Sequence, residues 1–207
     1  MSQMYLYKLT ADNGGAPCIT GRKLLSLAIC KPIIRTNASV GDLIFGFSAK
    51  SLSRDNRLIY IARVTQIIPN GNYYVDKRYV GRGDRIYKFQ FGKFKWRQGT
   101  KHHGPSDLVH DLGAFPEYER ACVLLSSDFR YFGKAGTDEY KSKFSRVCRA
   151  VESLGRGHRV RHDPLLRKEL LTMADWVFQS TARKTLGPPT SSPSRGVCHR
   201  KGPDIVC

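Results

Sequence analysis

The segment 77–101 combines two residue types that act together in nucleic-acid binding. It holds nine lysines and arginines, six aromatic residues and a single acid, Asp84. Basic side chains pair with phosphates, and each ring offers a base a stacking surface worth ~1–3 kcal/mol. The residues of this segment expected to contact nucleic acid are Lys88, Lys93, Lys95, Trp96 and Arg97. The alternative is that the rings belong to the core, which is a weaker reading for Phe94 and Trp96, where Gly92 interrupts the strand.

Histidines follow this segment in a pair and recur near residue 160. His102 and His103 stand beside a Gly-Pro turn and could hold a metal, act as a general base, or hydrogen-bond a base or phosphate. No set of four nitrogen and sulfur ligands at zinc spacing is visible, so no metal is expected. His158 and Arg159 lie in a glycine-rich stretch that indicates an anion or base contact, with a plain surface loop as the alternative.

The sequence shows no recognisable set of catalytic residues. Asp12, Asp42 and Asp128 stand beside turns or strand ends, and Asp12 and Asp42 also fit turns without chemistry. No G-x-S-x-G elbow and no local Ser-His-Asp or Cys-His signature occurs. The catalytic residues therefore stay unknown; in an enzyme, His102 or His158 would act as the acid or base with Asp12 or Asp42 as the partner carboxylate.

A thiol and two glycine-flanked loops complete the candidates. Cys30 precedes Lys31, whose charge could activate the thiol, although a buried core cysteine is more common. Gly81 to Gly83 and Gly155 to Gly157 resemble fragments of phosphate-binding loops, but neither has the full G-x-G-x-x-G spacing. A nucleotide triphosphatase or a dinucleotide-dependent dehydrogenase is disfavoured, and no cofactor is expected.

The overall charge points to a polyanionic partner. Lysine and arginine number 35 against 17 acids, a formal net charge of +18. Such an excess favours nucleic acid, with mere solubility as the alternative. The six cysteines suggest no disulfide framework, no signal peptide is visible, and no apolar run reaches the ~18–20 residues that span a bilayer. We expect a cytoplasmic protein with no membrane partner.

Local patterns predict the elements that position these residues. Alternation or apolar runs predict strands at 4–9, 43–47, 57–68 and 121–126, two short strands within 84–96, and a strand or short helix at 23–30. Helical periodicity predicts helices at 138–154 and 165–178, the second capped by Asp163. The predicted class is α+β, mainly β, either a small barrel or a curved sheet with one or two C-terminal helices. The domain covers residues 1–180, and 181–207 form a disordered basic tail.

Several segments, in order along the chain, resemble one protein family. They are YLYKLTADNGGAP, LAICKPIIRTNASVGDLIFGF, RLIYIARVTQII, GDRIY, KHHGPSDL, VLLSSDFRYFG and LGRGHRV. Together they resemble the nucleotide modification associated domain 2 family of bacteria and phages. A shorter stretch, V-G-D with the apolar strands that follow it, is similar to PUA-like barrels of the PUA, ASCH, EVE and YTH type.

The first resemblance implies recognition or processing of a modified nucleotide in DNA, within a DNA-modification or phage–host conflict system. It implies DNA rather than RNA as a partner, together with modification or restriction enzymes. The site residues it implies are Asp12, Asn13, Lys31, Arg35, His102, His103, Ser127, Phe129, Tyr131, His158 and Arg159.

Three hypotheses follow. The preferred one is a binding module that recognises DNA carrying a modified base. The second is a glycosylase, hydrolase or transferase acting on that base or nucleotide. The third is an interaction subunit whose charge meets an acidic partner.

Overall fold

The computed structural model describes residues 2–21, 23–155 and 157–191. Within these ranges ten strands and six helices form an α+β fold, which confirms the predicted class. The strands are β1 Met4–Leu9, β2 Leu25–Leu27, β3 Leu43–Ser48, β4 Leu58–Arg63, β5 Gln66–Ile68, β6 Tyr87–Gln90, β7 Lys93–Trp96, β8 Val123–Ser126, β9 Asp128–Tyr131 and β10 His158–Arg159. The helices are α1 Pro32–Asn37, α2 Asn72–Val75, α3 Leu108–Leu112, α4 Tyr140–Lys143, α5 Ser145–Glu152 and α6 Pro164–Ser180.

Three sheets organise the fold. The main sheet has the order β10-β1-β3-β4-β9, with β1 and β3 parallel and the other neighbours antiparallel. A second sheet has the order β2-β8-β5, and β6 pairs with β7 in a hairpin. The sheets formed by the described residues are open. The predicted closed barrel is therefore wrong, and the open-sheet alternative holds.

Both faces of the main sheet are buried, and β1 shows why. Met4 and Leu6 pack with α5 and α6 on one face, while Tyr5 and Tyr7 join a second cluster on the other. Successive side chains of a strand point to opposite faces, so the tyrosines of this strand lie opposite the helices. A third hydrophobic cluster lies around the second sheet and the hairpin.

The predicted single strand at 57–68 is two strands in different sheets. β4 belongs to the main sheet, and β5 pairs with β8. The switch occurs at Val64, whose N–H donates to the Asp42 carbonyl at 2.8 Å, and at Thr65, whose N–H donates to the Leu125 carbonyl at 2.9 Å. The polar residues Arg63, Thr65 and Gln66 mark the place where one strand ends and the next begins.

The long C-terminal helix agrees with its prediction, because Asp163 accepts hydrogen bonds from Leu165 N at 3.0 Å and Leu166 N at 2.9 Å. The predicted helix at 138–154 is divided at Phe144 into α4 and α5. Helix α1 was not predicted; its first position is occupied by Pro32, where the missing N–H costs nothing. None of the helices described is long and apolar enough to cross a membrane.

The chain beyond residue 180 returns to the main sheet as far as the structure describes it. Tyr131 N donates to the Lys184 carbonyl and Leu186 N to the Tyr131 carbonyl, both at 2.8 Å. Composition predicts disorder here, but pairing with the edge of β9 uses backbone groups and needs no apolar side chains. Residues 192–207 of the predicted tail lie outside the described residues, and the boundary at residue 180 stays a prediction.

Candidate functional site

A cleft of about 1310 Å³ opens where four loop segments meet. Residues within 13–21, 81–85, 97–102 and 185–191 contribute its walls, together with Lys134. Its cations are Arg82, Arg85, Arg97, Lys101 and Lys134. No aspartate or glutamate is among the described lining residues. A concave surface lined by one sign of charge concentrates the field, so this cleft attracts anions.

Arg82 forms the floor of the cleft and holds two loops together. Its guanidinium donates to Tyr73 Oη at 2.9 Å, to the Thr20 carbonyl at 3.0 Å and to the Cys18 carbonyl at 2.9 Å. It also lies 3.7 Å from the buried carboxylate of Asp84. Because its charge is already compensated by Asp84, Arg82 positions the loops.

Arg85 and Arg97 form a like-charged pair in the wall. Arg85 is half-buried and donates from Nε to the Tyr74 carbonyl at 3.0 Å, whereas Arg97 is exposed. Burial and, second, the positive charge of Arg97 lower the pKa of Arg85. A bound anion would relieve this repulsion, which is the electrostatic property expected of a phosphate site.

The β6–β7 hairpin extends from the edge of this cleft, since Arg85 precedes β6 and Arg97 follows β7. Lys88 and Lys95 lie directly opposite each other across the hairpin, an arrangement that is unfavourable without a counter-anion. At the tip Phe91 is 84% exposed, and Lys95 Nζ lies 5.2 Å from its ring centre. The hairpin thus presents an aromatic ring and cations to solvent together.

The exposure of the aromatic rings in the hairpin differs from the sequence-based expectation. Phe94 is buried, with its ring centre 4.9 Å from that of Tyr118, whereas Phe89 is half exposed. Trp96 is half-buried against the third hydrophobic cluster. Interpreting Phe94 as more exposed than Phe89 was wrong, because Phe94 packs against Tyr74 and Tyr118 in the third hydrophobic cluster.

Two other predicted residues, Asn13 and His102, line the same cleft as Arg97. Asn13 lines it, and its Oδ1 accepts from Gly15 N at 3.1 Å. His102 lines it as well, packed so closely on Gly15 that a Cβ there would lie 2.8 Å from His102 Nδ1. Glycine at position 15 therefore allows the imidazole to lie flat against the loop that carries Asn13.

His103 takes part in a different arrangement. Its Nε2 lies 3.2 Å from Cys30 Sγ, and its Nδ1 lies 2.6 Å from Asp111 Oδ2. Asp111 is fully buried and also accepts from the Cys30 backbone N–H at 2.9 Å and from Tyr87 Oη at 2.7 Å. Thiol, imidazole and carboxylate thus form one hydrogen-bonded chain.

Asp12 anchors the returning C-terminal segment. Its Oδ1 accepts from Tyr131 Oη at 2.6 Å, and its Oδ2 accepts from both Thr190 N and Thr190 Oγ1 at 3.1 Å. Ser191 N donates to its carbonyl at 3.0 Å. The structure therefore places Asp12 beneath the cleft wall as a positioning residue, with its carboxylate engaged inside the protein.

A third group of predicted residues gathers at the β10 edge of the main sheet. Lys31 Nζ lies 4.8 Å from the ring centre of Tyr7, and the His158 ring centre lies 5.9 Å from that of Tyr5. Burial and, second, the charge of Lys31 lower the pKa of His158. The neighbouring Arg159 is half-buried and pairs with β1. None of these is among the described residues lining the cleft.

For the remaining predicted residues, the structure corrects the expected exposure. Arg35, expected to face a phosphate, is fully buried, and its guanidinium donates to the carbonyls of Cys30, Arg120, Cys122 and Asp111 at 2.6–2.7 Å. Phe129 and Tyr131 are likewise buried in the second cluster, so neither ring is offered to a base. Ser127 is exposed, and its N–H donates to Thr65 Oγ1 at 3.0 Å.

The sequence analysis did not identify several residues of the cleft and of the Cys30–His103–Asp111 hydrogen-bonded chain. Arg85, Lys101 and Lys134 were not singled out, although the Gly-Arg-Gly fragment at 81–83 was the correct signal for one wall. Asp111 and Tyr87 carry no local motif that would link them to Cys30, because they meet it only through the fold.

Fold and site together define an open-sheet α+β domain with a cation-lined cleft and a cationic hairpin. The chain belongs to the nucleotide modification associated domain 2 family, whose model matches residues 1–195. The family links the protein with nucleotide modification systems. No curated protein and no solved structure matched the chain significantly.

The buried carboxylate of Asp12 gives a pH-dependent prediction. Burial raises its pKa above the ordinary 3.8, although hydrogen bonds from Tyr131 and Thr190 oppose the rise. A raised folded-state pKa contributes stability that is fully present below the unfolded pKa and lost as pH rises through the folded one. The free energy of unfolding of the wild type, relative to Asp12→Asn, should therefore increase on acidification. Urea denaturation between about pH 3 and pH 7 measures it.

The exposed carboxylate of Asp55 offers the matched control. Asp55→Asn should leave the pH dependence of the wild type nearly unchanged. Identical curves for the wild type and Asp12→Asn would contradict the raised pKa of Asp12.

Proposed function

We propose that the protein binds nucleic acid through the cleft and the hairpin, and that its target is DNA carrying a modified base. The observation that carries this proposal is the cation-lined cleft without a described carboxylate. The family supports the link to modified nucleotides, and the choice of DNA rather than RNA is part of the proposal.

The geometry suggests a division of roles. Arg97, Lys101 and Lys134 are exposed and suit phosphate contacts, which supply affinity without sequence choice. Asn13 and His102 line the cleft and could read the polar edge of a base. The cleft, at about 1310 Å³, exceeds the ~300–1,000 Å³ of ordinary ligand pockets. It therefore has room for an extruded nucleotide with flanking phosphates.

The exposed ring of Phe91 adds a sequence-independent element. A ring at the tip of a cationic hairpin can stack on an unpaired base while the adjacent lysines meet the backbone. Modification or restriction enzymes are the protein partners this role implies, and the cytoplasm is where it would act.

A binding panel tests the proposal. Fluorescence anisotropy is measured on duplex and single-stranded oligonucleotides containing cytosine, methylcytosine, hydroxymethylcytosine or glucosylated cytosine, at two salt concentrations. Affinity should fall steeply with salt, with a log–log slope of ~0.9 per phosphate neutralised on duplex. One modified oligonucleotide should bind more tightly than its plain counterpart.

The two parts of the proposal fail separately. Absence of binding at low salt would contradict nucleic-acid recognition altogether and favour an acidic protein partner. Equal affinity for modified and plain DNA would contradict only the modified-base part.

A further inference from the structure

We propose that Cys30, His103 and Asp111 are the nucleophile, base and orienting carboxylate of a thiol-dependent catalytic site that cleaves an ester or amide. This inference is independent of the proposed DNA binding, since it rests on a different group of residues. It goes beyond a binding function because these groups could form and break covalent bonds.

The first argument is the order of the three groups. Cys30 Sγ lies 3.2 Å from His103 Nε2, and Asp111 Oδ2 lies 2.6 Å from the opposite ring nitrogen. A nucleophile hydrogen-bonded to a base, with the base oriented by a third group, is the arrangement that activates a cysteine. Asp111 accepts the hydrogen bond from the Nδ1–H, so Nε2 faces the thiol without a proton and can accept the proton of the thiol.

The same order argues against a metal centre. Thiol and carboxylate lie on opposite nitrogens of one imidazole ring, so they cannot share an ion with it. The residues are thus arranged as a proton relay and not as a ligand set.

The second argument is how firmly the relay is held. Asp111 is fully buried and accepts from the Cys30 backbone N–H and from Tyr87 Oη, at 2.9 and 2.7 Å. The Arg35 guanidinium donates to the Cys30 carbonyl at 2.7 Å. Both backbone groups of the nucleophile are therefore bonded to buried side chains, which is the pre-organisation that catalysis needs.

The third argument is backbone conformation. Cys30, Lys31 and His103 have φ of 58°, 45° and 48°, in the left-handed region that non-glycine residues rarely adopt. Such conformations cost about 1–3 kcal/mol each and cluster at active sites. Cys30 lies in the short connection between strand β2 and helix α1, a strand-to-helix placement that other nucleophiles share.

The reaction balances without an oxidant or cofactor. His103 takes the thiol proton, and the Cys30 sulfur attacks the acyl carbon, forming a C–S bond as the carbonyl π electrons move to oxygen. When these electrons return, the C–O or C–N bond breaks, and His103 gives its proton to the departing alcohol or amine. Water then attacks the thioester with His103 as base, the C–S bond breaks, and the carboxylic acid leaves with the thiol restored.

Acylation by p-nitrophenyl acetate tests the site on the full chain, without nucleic acid. We expect a burst of one nitrophenolate per protein and one acetyl group mapped to Cys30 by peptide mass spectrometry. His103→Asn should slow this acylation by about 100-fold or more, the usual contribution of a general base. It should also move the pH profile of Cys30 alkylation by iodoacetamide to higher pH, because the thiol loses the imidazole that accepts its proton.

Cys148, half-buried on α5, provides the matched control. Cys148→Ser should retain the burst, and Cys30→Ser should lose it. Acetylation of the wild type at other cysteines but not at Cys30 would overturn the proposal, whether or not any variant folds. Equal pH profiles for the wild type and folded His103→Asn would overturn it as well.

Discussion

Duplex DNA is expected to bind at least about 100-fold more weakly when Arg97 and Lys101 are both replaced by glutamate, because like charges at an interface cost several kcal/mol. Both side chains are exposed and line the cleft. Neutralising two phosphate contacts should also reduce the log–log salt slope by roughly 1.8. Anisotropy titrations at several salt concentrations measure both quantities. Stability should change little, since exposed substitutions usually stay within about 0.5 kcal/mol.

The control must distinguish an effect of the cleft on binding from an effect of the total charge. Lys50 and Lys168 are exposed and are not among the described residues that line the cleft. Replacing both by glutamate changes the net charge equally and should weaken binding much less. An equal loss in the two double variants would show that binding follows total charge and would contradict the cleft.

A loss of about 3–5 kcal/mol in the free energy of unfolding is expected for Arg35→Ala, because each buried acceptor that loses its donor costs about 1–3 kcal/mol. Its guanidinium is fully buried and donates four hydrogen bonds to backbone carbonyls. Truncation leaves these acceptors inside the protein without their donor. Since domains have only about 5–15 kcal/mol of net stability, the variant should be close to unfolding.

Urea denaturation measures this effect, with the exposed Arg54→Ala as the matched control, for which about 0.5 kcal/mol or less is expected. Arg35→Lys should recover only part of the stability, because an ammonium cannot reproduce the planar fork. Equal midpoints for Arg35→Ala and Arg54→Ala would contradict the structural role of Arg35.

Local sequence patterns predicted those elements that depend mainly on neighbouring residues. Helix α6 was predicted from its apolar periodicity and its Asp163 cap, which are properties of neighbouring residues. Strands β1 and β3 were predicted for the same reason. Charge density alone directed attention to the segment that supplies Arg97 to the cleft, and the ordered motifs identified the family that the comparison confirms.

What a cation or ring does depends on contacts that are distant in sequence. Arg35 and Arg97 are chemically identical, yet one binds four interior carbonyls and the other lines the cleft. Phe91 and Phe94 differ in exposure because the position of the hairpin turn sets which ring meets the core.

The sequence by itself determined the fold class and the family, and its charge predicts an anionic partner, because composition, periodicity and ordered motifs are properties of the chain. Only the tertiary structure brought Cys30 to His103, 73 residues away, and to Asp111 behind it. No local pattern specifies such a meeting, since it follows from the packing of a turn before α1 against the segment that leads into α3. The same packing buried Arg35 and left the cleft to other cations.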